Sequence, residues 1–90
     1  MMLNVVFKSC FKKDLKKLKS SNCNEDELLA VIGVLAHEQT LAEKLRDHAL
    51  IGNYAGCREC HIRPDWLLIY QATKTDLLLL RTGSHSELFD

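Results

Sequence analysis

The chain predicts an α+β fold in which a strand is followed by two helices and then by three strands. Three observations carry that expectation. A short β-rich run opens the sequence, two stretches repeat their apolar residues at helical spacing, and three β-capable runs separated by turn residues occupy the C-terminal third. Ninety residues suffice for one hydrophobic core, so residues 1–90 are expected to form a single domain.

Taken in order, "MLNVVF" is the first strand, ending where lysines begin. Phe7, Phe11, Leu15 and Leu18 then recur at helical spacing, with Lys8, Lys12, Lys16 and Lys19 elsewhere on the wheel, which predicts an amphipathic helix with a cationic back. In "SSNCNEDELLAVIGVLAHEQ", Asn24 is the expected N-cap, Glu27 three residues on resembles half of a capping box, and the acids of the first turn suit the helix dipole. This second helix should run to about His37, its broad apolar face packed between the first helix and a sheet. "TLAEKLRDHALIGNYAG" reads as a partly irregular connection. "CRECHI", "WLLIYQA" and "LLLLRT" follow as a three-stranded antiparallel meander, joined by "RPD" and by the hairpin loop "TKTD", and "GSHSELFD" forms a short terminal turn or helix.

Apolar residues at 47% and charged residues at 27% exclude a disordered chain, and no apolar stretch approaches membrane-spanning length. The initial apolar run precedes the basic residues, the reverse of a secretory signal, so a cytoplasmic protein with free thiols is expected. The net charge of zero hides an asymmetry. Residues 1–20 hold six lysines, Lys8, Lys12, Lys13, Lys16, Lys17 and Lys19, against one acid, and the other seventy residues are net negative. A clustered basic end fits an anionic partner or a solvated helix face.

"AGCRECHIRPDW" contains Cys-x-x-Cys-His, the string of covalent haem attachment. Haem needs an oxidising compartment and usually a second axial ligand, yet the only methionines are Met1 and Met2. Zinc needs a fourth ligand, and Cys10 and Cys23 are isolated in or beside helices. On a strand, Cys57, Glu59 and His61 would share one face and Cys60 the other, so Cys57, Cys60 and His61 cannot converge. Neither a metal nor another cofactor is expected, and the cysteines read as packing residues.

Harder to explain as packing are His48, His61, Asp65, Arg81 and His85, with Trp66 and Phe89 beside them, all near strand ends or loops. RNA cleavage through its own 2′-hydroxyl needs a base, an acid for the departing 5′-oxygen, and donors for phosphate charge. Imidazole, carboxylate and guanidinium supply these without a metal, and exposed aromatics can stack unpaired bases.

At "DHALIG" (47–52), "RECHIRPDWLLIY" (58–70) and "RTGSHSELF" (81–89), the chain resembles the YafQ-type messenger-RNA endonuclease toxins of the RelE/ParE superfamily, from bacterial type II toxin-antitoxin systems. The likeness covers roughly the C-terminal half, and it departs at Cys57, where an aromatic residue is common. It implies a RelE-like fold and a metal-independent endoribonuclease that cuts messenger RNA in the ribosomal A site. It places catalytic residues at His48, His61, Asp65, Arg81 and His85. Our reading of their chemistry makes Asp65 the base, His85 the acid and the others stabilisers of phosphate charge, with exchange of base and acid roles among Asp65 and the histidines as the alternative. Trp66 and Phe89, with Arg58 and Arg63, would hold substrate, and the six N-terminal lysines would contact ribosomal RNA. Implied partners are a cognate antitoxin, the ribosome with its messenger, and operator DNA through the antitoxin complex alone, with no membrane. The alternatives are a ParE-like gyrase inhibitor without nuclease activity and a plain basic RNA-binding module.

Overall fold

In the computed structural model, which describes residues 2–20 and 24–89, five strands form one sheet in the order β1-β5-β4-β3-β2. The elements are β1 (Asn4–Phe7), α1 (Ser9–Lys19), α2 (Glu25–Ala36), β2 (His48–Ala49), β3 (Arg58–Arg63), β4 (Trp66–Ala72), β5 (Asp76–Gly83) and α3 (His85–Phe89), with 3-10 turns at Glu43–Leu45 and Gly52–Tyr54. The antiparallel meander β3-β4-β5 is the one the sequence predicts. β1 joins it in parallel beside β5, a pairing that the crossover through α1 and α2 permits. Among the described residues no helix is long and apolar enough to cross a membrane.

β4 shows why the sheet needs cover on both faces. Trp66, Leu67, Leu68, Ile69 and Tyr70 are all buried, and alternation sends them to opposite sides. Trp66, Leu68 and Tyr70 join Cys60, Leu77 and Leu79 beneath Phe11 and Leu18 of α1 and Leu28, Val31, Ile32 and Leu35 of α2. Leu67 and Ile69 join Cys57 and Leu88 of α3, with Leu50, Tyr54 and Leu80 packed around them. Cys57 and Cys60 are therefore on opposite faces, as a strand requires, and neither is disulfide-bonded. Cys23 lies outside the described residues.

Both helices start where the sequence says, with two differences. Asn24 caps α2 by accepting from the Asp26 N–H at 2.9 Å, and Glu27, expected in a capping box, accepts from Arg63 Nε at 2.8 Å. Phe7 belongs to β1, exposed and stacked on Phe11 at 5.6 Å, so the inward stripe of α1 is Phe11, Asp14 and Leu18. The aspartate in that stripe is buried because it binds β5, as described below.

Candidate active site

β2 is only two residues long, but its register with β3 sets His48 opposite Glu59. His61, two positions along β3, projects on the same face. Glu59 Oε2 lies 3.0 Å from His48 Nε2 and 3.6 Å from His61 Nε2. The other ring nitrogen of His48 is fixed: Nδ1 sits 2.6 Å from the Arg46 carbonyl, which has no proton to give, so Nδ1 donates. His48 Nε2 then faces the carboxylate either with a proton on it or with a bare lone pair that needs a cation between the two acceptors. Glu59 is only 4% exposed, and its Oε1 is buried with no hydrogen-bond partner among the described residues. Such an acceptor has unused capacity for a proton or a metal ion. One donor atom each from His48, Glu59 and His61 lies within 4.8 Å of the others, which also fits a transition-metal ion.

The second part of the site is α3. Its five residues are too few to be stable alone, and two devices hold them. Ser84 and Glu87 form a reciprocal capping box, with the Ser84 N–H donating to Glu87 Oε1 at 2.9 Å and the Glu87 N–H to Ser84 Oγ at 3.2 Å. That backbone donor holds the Glu87 carboxyl below its ordinary range. Asp65, in the β3-β4 turn, accepts from the His85 N–H at 3.1 Å and ties the start of α3 to the meander. The ring of His85 stands 4.9 Å from Phe89, which meets Tyr54 edge-on at 5.8 Å. Ile51, Asn53, Tyr54, Leu88 and Phe89 line a hollow of ≈ 550 Å³.

Register relates the two parts. His61 pairs with Leu67 and Leu67 with Gly83, so α3 starts two residues beyond the rung that holds His61, two strand spacings or about 10 Å across the sheet. Leu88 packs on the face that carries Glu59 and His61. His48, His61, Asp65, His85 and Phe89 are thus gathered at one end and one face of the sheet.

The remaining expected residues are placed differently. Arg81 donates to Asp14 from Nε at 2.7 Å and Nη2 at 3.1 Å, and Asp14 also accepts the Thr82 N–H at 3.1 Å. The Asp14 carboxylate raises the guanidinium pKa further, with a smaller contribution from the Tyr54 hydroxyl on the site face, so Arg81 is a clamped cation beside the site. Arg58 turns to the helix-covered face and donates to Asp47 at 3.0 Å, while Arg63 engages Glu27 of α2. Both expected substrate-binding arginines are thus engaged by carboxylates of the chain itself. Trp66 is buried and donates from Nε1 to Thr82 Oγ1 at 3.0 Å, so it is core and offers no ring face for stacking. All six lysines are exposed, but α1 covers the opposite face from Glu59 and His61.

Sequence reasoning left out Asp14, Asp47, Tyr54 and above all Glu59. The alternation in "CRECHI" puts Glu59 on the face of His61, a visible signal, but its meaning depends on the partner strand that brings His48.

A sequence model of the family described as "Bacterial toxin of type II toxin-antitoxin system, YafQ" matches residues 3–90. The mRNA interferase toxin YafQ of Escherichia coli K12 is 31% identical over 87 residues, covering 96% of this chain and 95% of that one. A metal-bound toxin from Helicobacter pylori is 48% identical over 98% of this chain and all of that one, with a TM-score of 0.92. YafQ in the E. coli DinJ-YafQ toxin-antitoxin complex superposes with a TM-score of 0.92 at 30% identity, over the full length of both chains. The RelE-like arrangement of the sheet, the cluster of histidines around a buried glutamate and the match across nearly the whole chain lead to one conclusion: this chain belongs to the YafQ family of bacterial type II toxins.

Proposed function

We propose that the chain is a ribosome-dependent endoribonuclease that cuts messenger RNA in the ribosomal A site by metal-independent acid-base chemistry, and that a cognate antitoxin holds it inactive. The observation that carries this reading is the buried, under-bonded Glu59 carboxylate between His48 and His61, on the sheet face where Leu88 of α3 packs. The naming of the E. coli relative as an mRNA interferase, and the DinJ-YafQ complex, support the substrate class and the partner.

Glu59 takes the proton of the 2′-hydroxyl, whose oxygen attacks the adjacent phosphorus. His85 protonates the departing 5′-oxygen, leaving a 2′,3′-cyclic phosphate and a free 5′-hydroxyl. His48 and His61 stabilise the charge on the phosphate oxygens, and Arg81, oriented by Asp14, adds a fixed positive charge beside them. Asp65, taken from the sequence as the base, serves in this reading as a positioning residue whose carboxylate accepts the first N–H of α3. Phe89 and the hollow beside it receive a nucleobase. The lysines of α1, on the far side of the sheet, contact ribosomal RNA and leave the site free for the messenger.

The metal-bound H. pylori toxin raises the question of what an ion would do in this chain. His48, Glu59 and His61 fit a zinc ion, and an ion there would take the lone pairs that the reaction needs. Zinc should therefore inhibit, calorimetry should detect its binding, and a zinc-selective chelator at constant magnesium should restore full cleavage. Loss of activity in that chelator alone, with magnesium held constant, would contradict the metal-independent reading. The direct test of function is to add the chain to translating ribosomes and map new 5′ ends. In-frame cuts that disappear with His85→Ala are expected, whereas arrested growth with intact transcripts and inhibited gyrase would overturn the reading.

A further inference from the structure

His48 is carried by the least secure strand of the sheet. β2 has two register pairs, and it is entered through Arg46 in the left-handed backbone region (φ 50°), a strained conformation for a side-chain-bearing residue. Something outside its own ladder must fix it. Residue 47 points to the face opposite residue 48, and there Asp47 Oδ1 accepts from the Tyr70 hydroxyl at 2.7 Å and from Arg58 Nε at 3.0 Å. Tyr70 is 2% exposed and rooted in the central strand β4, so its hydroxyl is a rigid post reaching past β3 to the edge of the sheet.

We propose that Asp47, held by Tyr70 and Arg58, is a positioning residue that sets His48 against Glu59. The clamp and the imidazole are neighbours in the chain on opposite faces, so whatever holds Asp47 still also fixes the backbone from which His48 projects. This rests on the reading of His48 as a group that touches the RNA. Arg58 thereby has a role in the reaction without contacting substrate.

The test uses the full-length chain with Asp47→Ala, Asp47→Asn, Tyr70→Phe, His48→Ala and the Asp47→Ala/His48→Ala double variant. Asp47→Ala should lower the single-turnover cleavage rate on ribosomes about tenfold or more with little change in KM, the usual effect of a displaced catalytic group. Asp47→Asn keeps an acceptor for Tyr70 and should restore much of the rate, and Tyr70→Phe should fall between. In the His48→Ala background Asp47→Ala should cost nothing further, because the pair acts as a unit. The His48 imidazole resonances should shift and broaden in Asp47→Ala while those of His85 stay in place. This last measurement needs no nuclease activity, so it separates failure of the clamp from failure of the proposed reaction. Unmoved His48 resonances, or additive losses in the double variant, would overturn the proposal. Variants that no longer melt cooperatively are replaced by Tyr70→Phe, which keeps the buried ring.

Discussion

Cys60 places a thiol on the helix-covered side of β3, where burial first, and then the charges of Asp47 and Glu59, push its pKa up to about 12 from 9.0. The sign of the consequence follows from linkage. Between these two values the folded chain keeps a proton that the unfolded chain has lost, so stability present below pH 9 declines as pH rises through that window. Tyr70 is shifted the same way, chiefly by burial and then by its bond to Asp47. Urea midpoints measured at pH 8 and pH 10 should show the loss, smaller in Cys60→Ala once its packing cost is allowed for, and Cys60 should resist alkylation while exposed Cys10 reacts. At the same scale, Asp14→Ala strips the buried partner from Arg81 and the acceptor from Thr82 N–H, and should cost about 3 kcal/mol in urea unfolding. A cost near zero would show that the ion pair does not hold Arg81.

Among the elements, α3 depends most on a few side chains. Ser84→Ala removes the hydroxyl that accepts the Glu87 N–H and should cost about 1 kcal/mol locally. Faster hydrogen exchange at the Leu88 amide, which donates to the Ser84 carbonyl, is the expected sign, with a slower cleavage rate as His85 loses its fixed position. Unchanged exchange would mean that Asp65 alone suffices. The elements also show what a sequence can disclose. α1 and α2 are written in a period of 3.6, and the meander in apolar β-capable runs bounded by turn residues, over enough residues to be read. α3, with five residues, is too short for a 3.6-residue period to repeat, though Ser84 and Glu87 spell its capping box. β2 has no local signature at all, since its two residues are a strand only because β3 pairs with them.

For the whole molecule, the sheet separates two surfaces. One carries α1 and its lysines, the other the histidines, Glu59 and α3. Exchanging Lys12, Lys16 and Lys19 for glutamine should weaken ribosome binding and flatten its salt dependence, leaving the single-turnover rate at saturating ribosomes unchanged. A fall in that rate would place the lysines at the reaction. This division explains which site residues were legible. Histidines stand out as residues that packing does not require, so His48, His61 and His85 could be proposed from sequence. Arg58 and Arg63 looked the same, but their partners, Asp47 and Glu27, lie 11 and 36 residues away and are chosen by tertiary packing. Glu59 was hidden for the same reason, because a carboxylate on a strand is ordinary until an edge strand brings an imidazole to it.

The most direct measurement is the single-turnover rate of messenger cleavage on programmed ribosomes for Glu59→Gln, which preserves shape and removes the proton acceptor. A loss of about a hundredfold or more, with ribosome binding intact, is predicted for a general base. Cleavage within about twofold of the unaltered chain, against that expectation for a base, would contradict the account.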